Sequence, residues 1–162
     1  QKALSGFNEN SVSNIVVLPL FLSKHNHILK EVKKNIPVYQ FKGKVYWNET
    51  ILESYLSAQI LLDHVKKIST NPSQEKLVVL GRGALDEKSE KTMKKELDEL
   101  SDYIKERHKF KSIQTGIYYS YNAKEKLRVL KDKEVDDMVL HTAAKKGNTL
   151  VVPFLLAQNI PI

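Results

Sequence analysis

The sequence predicts an α/β fold in which parallel strands are covered by helices on both faces, three layers deep, in two similar halves. Three observations carry this expectation. Strand-length apolar runs alternate with amphipathic stretches of a dozen or more residues, the length of connection that joins neighbouring parallel strands. A cluster of loop formers, Ser69-Thr70-Asn71-Pro72-Ser73-Gln74-Glu75, divides the 162 residues. One pattern then occurs on both sides of that loop: Val16-Val17-Leu18-Pro19-Leu20-Phe21-Leu22-Ser23 and Leu150-Val151-Val152-Pro153-Phe154-Leu155-Leu156-Ala157 each set an apolar strand around a proline with a small residue four positions beyond it. Proline has no ladder donor and is disfavoured in central strands, so its double use suggests one structural step used twice. Chance similarity of two buried strands is the alternative.

Residues 14–22 read as a fully buried strand, and the lysine-rich segment 25–35 reads as a helix ended by Pro37. A short strand is expected over 37–46. Asn48 offers an N-cap for a long helix over 49–68, where Ile51, Leu52, Tyr55, Leu56, Ile60, Leu61 and Val65 recur at spacings of three and four. Lys66 and Lys67 in its last turn suit the negative end of the helix dipole. Beyond the loop the pattern predicts a strand over 76–80, a helix over 85–107, a strand over 111–119, helices over 122–131 and 133–146, and a strand over 148–156. Gly147 is placed to end the last helix.

The chain is 41% hydrophobic and 28% charged, the composition of a globular protein. No apolar run approaches membrane-spanning length, and no charged segment followed by an apolar one opens the given sequence, so a cytoplasmic location is the expectation, although a start at Gln1 rather than Met leaves any upstream targeting signal unread. Without cysteine there can be no disulfide, iron–sulfur cluster or thiolate zinc site, and any metal must be held by His, Asp or Glu. A net charge of +7 favours an anionic partner: nucleic acid, an acidic membrane surface or a polycarboxylate small molecule. Many lysines alternate with glutamates, as in Glu87-Lys88-Ser89-Glu90-Lys91, the usual pattern of a solvated helix face. With no zinc-finger, RNA-recognition or glycine-rich nucleic-acid motif a nucleic-acid partner is not expected, and no membrane partner is expected either.

Three short segments carry a family resemblance. Pro19-Leu20-Phe21-Leu22-Ser23-Lys24-His25-Asn26-His27 is similar to a strand-end segment P-L-F-L-S-x-G-x-H, with His27 on the metal-site histidine and His25 replacing the glycine. Leu77-Val78-Val79-Leu80-Gly81-Arg82-Gly83-Ala84 is similar to a strand and turn that normally end in G-H-G-S, and Gly116-Ile117-Tyr118-Tyr119 stands where G-F-L-E is common. Together these resemble the class II tetrapyrrole chelatases of the sirohydrochlorin cobaltochelatase type, whose long members contain two similar lobes of flavodoxin-like topology. The resemblance implies a metal chelatase, a lyase that inserts a divalent metal (Co²⁺, Fe²⁺ or Ni²⁺) into an anionic tetrapyrrole in cobalamin or siroheme biosynthesis. The metal is substrate, no organic cofactor is implied, and a homo-oligomer is compatible. In the family's register, residues 1–69 form the C-terminal part of a first lobe plus a linking helix, and residues 76–162 the N-terminal part of a second. That second lobe departs at every catalytic position: Arg82 replaces a histidine, Ala84 a serine and Tyr119 a glutamate, and Pro161 stands where a second histidine belongs. The alternative is therefore a degenerate chelatase-like module that binds tetrapyrrole or metal without the chemistry.

Metal insertion needs a group that takes protons from pyrrole nitrogens and a ligand that delivers the ion, and neutral imidazole can do both. His27 is the candidate for both roles. His25, two residues earlier, shares a face with it only in an extended or turn conformation, where the two could hold one metal; otherwise they read as polar cap residues of a strand-to-helix turn. Gly81-Arg82-Gly83 is expected in a turn between strand and helix, where backbone N–H groups favour an anion. Arg82 cannot ligate a cation, but it can grip a substrate carboxylate through two parallel hydrogen bonds, or make an ordinary salt bridge. Tyr118, Tyr119 and Tyr121 could stack on a flat macrocycle or pack at the sheet rim. His64, His108 and His141 fall on predicted helices among lysines and receive no role. The register places His27 and Arg82 just beyond the carboxyl ends of parallel strands at 14–22, 76–80 and 148–156, and leaves the apolar strands of incomplete sheets open to further pairing.

Overall fold

The computed structural model describes residues 2–21, 23–39 and 41–154, which form a mixed α/β structure with two parallel sheets. The first part runs α1 (Lys2–Glu9), β1 (Asn14–Val17), α2 (His27–Asn35), β2 (Lys44–Trp47) and α3 (Tyr55–Ile68). β1 and β2 pair in parallel, from Asn14 opposite Lys44 to Val17 opposite Trp47, with α2 in the crossover between them. The second part runs β3 (Lys76–Ala84), α4 (Glu87–Arg107), β4 (Ser112–Tyr119), α5 (Glu125–Ala144) and β5 (Thr149–Pro153). Its three strands are parallel in the order β4-β3-β5.

β3 reads Leu77-Val78-Val79-Leu80 without alternation because both of its faces are covered. Leu77 and Val79 join a core with Leu61, Leu62 and Val65 of α3 and Leu97 and Ile104 of α4. Val78 and Leu80 point the other way, toward Val135, Met138 and Val139 of α5. Helix pair, sheet and helix are the three layers, and each fully buried side chain of this kind contributes about 1.5–3 kcal/mol.

The loop before β3 is ordered from within. Glu75 is 2% exposed and accepts the Ser69 hydroxyl at 2.6 Å, the Thr70 amide and hydroxyl at 3.1 and 3.0 Å, and the Asn71 amide at 3.1 Å. Gly147, at φ +100°, runs against the same turn, where a β-carbon would lie 2.6 Å from the Gln74 carbonyl oxygen; only glycine fits. Buried Lys76 donates to the carbonyls of Thr142 and Lys145 and so closes the end of α5.

Several boundaries differ from expectation, each for a physical reason. The strand expected over 14–22 ends at Val17 and alternates in exposure, with Val16 67% exposed and Leu18, just beyond it, 64%, because among the described residues no helix covers its outer face. The expected strand at 37–46 divides into a 3₁₀ turn at Ile36–Tyr39, around Pro37, and β2 at 44–47. The helix expected from 49 breaks at Ser54: Thr50 caps a short 3₁₀ turn through a reciprocal bond with Glu53, and the Ser54 hydroxyl starts α3 by accepting the Leu56 amide. β3 runs four residues past the expected end at 80, reaching Ala84. The two helices expected over 122–146 are the single α5. Of the strand expected over 148–156, residues 149–153 are strand and those from 155 onward, like Pro161, lie outside the described residues. In both repeats the ladder stops at or just before the proline, at Val17 and at Pro153.

Candidate functional site

The segment between β1 and α2 turns sharply at Ser23. Its buried hydroxyl accepts the His25 amide at 3.0 Å, and its carbonyl accepts the Asn26 amide at 3.1 Å. Asn26 is the N-cap of α2, its side-chain oxygen accepting the amides of Ile28 and Leu29 at 2.9 and 3.4 Å. His27 is therefore the first residue of the helix and His25 lies in the turn before it. The His27 Nδ1 atom is buried and has no hydrogen-bond partner.

His25 faces α4, its Nε2 3.7 Å from Glu96 Oε1. Both Glu96 oxygens are buried without a hydrogen-bond partner. Burial pushes the Glu96 carboxyl above the ordinary range; the nearby Ser23 hydroxyl, which does not reach hydrogen-bond geometry, and the charges of His25 and Lys24 pull it part of the way back. An open hollow of about 240 Å³ lies beside it, lined by Glu53, Glu96 and Glu99 among others, with Lys24 held on Glu53 at 3.2 Å. A larger hollow of about 580 Å³ follows the free edge of β4 around Ser112 to Thr115, at the amino-terminal side of that strand.

Arg82 is not in a turn beyond β3, as the sequence suggested, but in the strand itself. The ladder pairs Arg82 with Tyr118 and Ala84 with Tyr119, so Gly83 is the extra residue of a bulge, at φ +138°. Such bulges re-aim neighbouring side chains. Arg82 lies on the α5 side of the sheet, its guanidinium 5.1 Å from the Tyr118 ring centroid and 5.0 Å from that of Tyr121, donating to the Tyr119 carbonyl at 2.9 Å. Among the described residues it makes no ion pair with a carboxylate, so the salt-bridge alternative finds no partner there.

A β-carbon at Gly83 would lie 3.2 Å from Met93 Cε and 3.9 Å from the Asn26 side-chain nitrogen. The cap of α2 and the carboxyl end of β3 therefore meet. The histidines approach this edge from the α4 side and Arg82 from the α5 side, so the structure brings the candidates to one edge without putting them in one cluster. Among the described residues, no three His, Asp or Glu side chains converge on a position that could hold a metal.

The tyrosines divide. Tyr119 is fully buried and donates to Glu90 at 2.8 Å, and burial pushes its hydroxyl well up. Tyr118 donates to Asp136 at 2.6 Å, and burial, then that bond, push it up to about 12. These two are core residues, and Tyr121, 58% exposed, is the one at the rim. His108 caps the end of α4 with Nε2 3.3 Å from the Ser69 hydroxyl, a packing position. Sequence reasoning missed Glu96 and Arg128, whose guanidinium carbon lies 5.5 Å from the Tyr121 ring centroid. Neither stands in a motif.

No protein-family model and no curated protein matches the chain. No helix among the described residues is long and apolar enough to cross a membrane. Among solved structures, SirB from Bacillus subtilis, determined with Fe³⁺, matches with a TM-score of 0.66 at 17% sequence identity. The match covers 96% of this chain and 58% of SirB, so this chain spans under two thirds of that protein's length. The chain thus has an α/β fold similar to that of SirB, with parallel sheets and helices on both sides.

Proposed function

We propose that this chain is part of a chelatase-like protein that binds an anionic tetrapyrrole at the carboxyl edge of β3 and brings a divalent metal ion, Co²⁺, Fe²⁺ or Ni²⁺, to it through His27. The observation that carries the reading is a pair of buried polar groups, His27 Nδ1 with no hydrogen-bond partner and the Glu96 carboxylate with none beyond the charge contact to His25, on two elements that both pack beside the end of β3. Buried polar atoms are normally satisfied, and those that are not call for an explanation, of which a bound ion or ligand is one. In this reading His27 ligates the ion or takes a pyrrole proton, and His25, steadied by Glu96, supports it. With no three-residue cage among the described residues, the ion completes its coordination from water and from the macrocycle's own nitrogens. Arg82 holds a substrate carboxylate with the N–H groups that Tyr119 leaves unused. The division into lobes at the 69–75 loop, a cytoplasmic site of action and a homo-oligomeric state belong to the same reading and rest on the sequence pattern.

A specific observation favours a second reading, that of a binding module which has lost the chemistry: Tyr119, standing where the family has a glutamate, is sealed in the core against Glu90.

Titration with Co²⁺ or Ni²⁺ should show binding that weakens as the pH falls, because a protonated imidazole offers no lone pair. His27→Ala should weaken it by about tenfold or more, and His64→Ala, exposed on α3, should leave it unchanged. Equal losses from both variants would sink the assignment. Mixing Co²⁺ with a sirohydrochlorin-type substrate separates the two readings, since turnover gives the visible spectrum of the metallated macrocycle and a binding module gives only a bound-state shift.

A further inference from the structure

We infer that Arg128 works with Arg82 as a two-guanidinium clamp for paired carboxylates at the end of β4, a deepening that rests on the reading above of an anionic ligand at this edge. The two guanidinium carbons lie 5.0 and 5.5 Å from the centroid of one ring, that of Tyr121, and Arg82 is braced as well by Tyr118 at 5.1 Å. A guanidinium stacked on a ring keeps its N–H groups in its own plane, pointing outward for planar, bidentate recognition.

Both arginines have donors to spare. Arg82 donates to the Tyr119 carbonyl, and Arg128 Nε is buried with no hydrogen-bond partner. Neither pairs with a carboxylate among the described residues. The α5 carboxylates nearest the ladder are already committed, Asp132 accepting the Tyr119 amide at 2.7 Å and Asp136 the Tyr118 hydroxyl at 2.6 Å. Removing a donor from water without giving it an acceptor is costly, and a ligand oxygen repays that cost. Two guanidinium groups on one ring suit two carboxylates on one scaffold, as on the rim of a flat polycarboxylate macrocycle.

The test uses two probes on the full chain. Citrate, a small polycarboxylate, is titrated while the arginine Nε–Hε signals are followed by NMR; uroporphyrin, an octacarboxylate porphyrin, is titrated by its absorption shift. Citrate should move the signals of both Arg82 and Arg128. Arg128→Gln should weaken both probes by about tenfold or more, and Arg128→Lys should recover only part, because an ammonium cannot make the planar contact. Lys126→Gln, an exposed charge two residues away, should stay within about twofold, as for a rim charge. Wild-type affinity for both probes in Arg128→Gln, or in Arg128→Lys should the first variant not fold, overturns the clamp, and so does a wild-type chain that binds neither probe. Citrate binding that depends on Arg128 alongside no uroporphyrin binding upholds the clamp and overturns the tetrapyrrole reading.

Discussion

Glu96 holds a carboxylate with both oxygens buried and without a hydrogen bond, one of them 3.7 Å from His25, and burial raises its pKa. An acid whose folded pKa is raised binds its proton more tightly in the folded state. It therefore costs stability as the pH climbs above the unfolded value, and the cost disappears in acid. Glu96→Gln should accordingly raise the melting temperature at pH 8, by up to about 1 kcal/mol in stability, and change it little at pH 4. The same variant should weaken metal binding, because His25 loses the charge it faces. A variant that is less stable at pH 8 would show that the contacts of the carboxylate with His25 and its neighbours outweigh the cost of burying it. His25 and His27 were legible in the sequence as a His-x-His pair at a strand end. Glu96 was not, since it is one of many glutamates on a helix where they alternate with lysines, and only the docking of the α2 cap on α4 buries it. The three adjacent tyrosines looked alike for a similar reason: which of them is core depends on the bulge at Gly83 and on the partners Glu90 and Asp136, all distant in sequence.

At the scale of elements, Glu75 organises the turn that leads into β3. The Ser69 hydroxyl and then, against the cost of burial, the Asn71 and Thr70 amides hold its pKa at about 2, below the ordinary 4.5. An acid with a lowered folded pKa stabilises the fold above its unfolded pKa and stops doing so as the pH falls toward the folded one. Glu75→Gln should cost about 1–3 kcal/mol at pH 7, and the difference from wild type should close as the pH falls from 4.5 toward 2. Urea melts across that window check it; a difference that does not vary with pH would assign the loss to packing. Strands and the α4 helix of the second part were read well from the sequence, since continuous apolar strands and a long capped helix leave few alternatives, whereas the uncapped α5 was expected as two helices. Boundaries failed where tertiary contacts decide them. β3 continues through Gly81-Arg82-Gly83 because β4 pairs with it, although two glycines read as a turn. Ser54 breaks the expected helix because Thr50 and Glu53 form their own cap, and α1 carries too little apolar pattern to be called.

The molecule as a whole is unequally built. Together the two buried core clusters draw on α3, β3, α4, β4, α5 and β5, and among the described residues neither includes one from β1 or β2. The two-stranded sheet and the segment just beyond β1 instead leave Val16, Leu18, Leu20 and Tyr46 between 51% and 77% exposed. Two strands alone are marginal, and regions with little apolar burial open without the rest unfolding. Hydrogen exchange should therefore find Val78 and Val79, paired on both sides in β3, opening only with global unfolding, and Val16 and Val17 opening at several kcal/mol less. The proposed site joins the two parts, because His27 sits on α2, behind β1, while Glu96 and Gly83 belong to the stable body. A metal that bridges them binds the closed arrangement and not the locally opened one, so Ni²⁺ at about a hundredfold over its Kd should raise the opening free energy of the α2 and β1 amides by up to about 2.7 kcal/mol. Mass-spectrometric exchange with and without Ni²⁺, in wild type and His27→Ala, reads this directly. Protection that rises equally in both proteins would place the ion elsewhere, and protection confined to wild type would make the α2 cap the element that the ligand locks onto the end of β3.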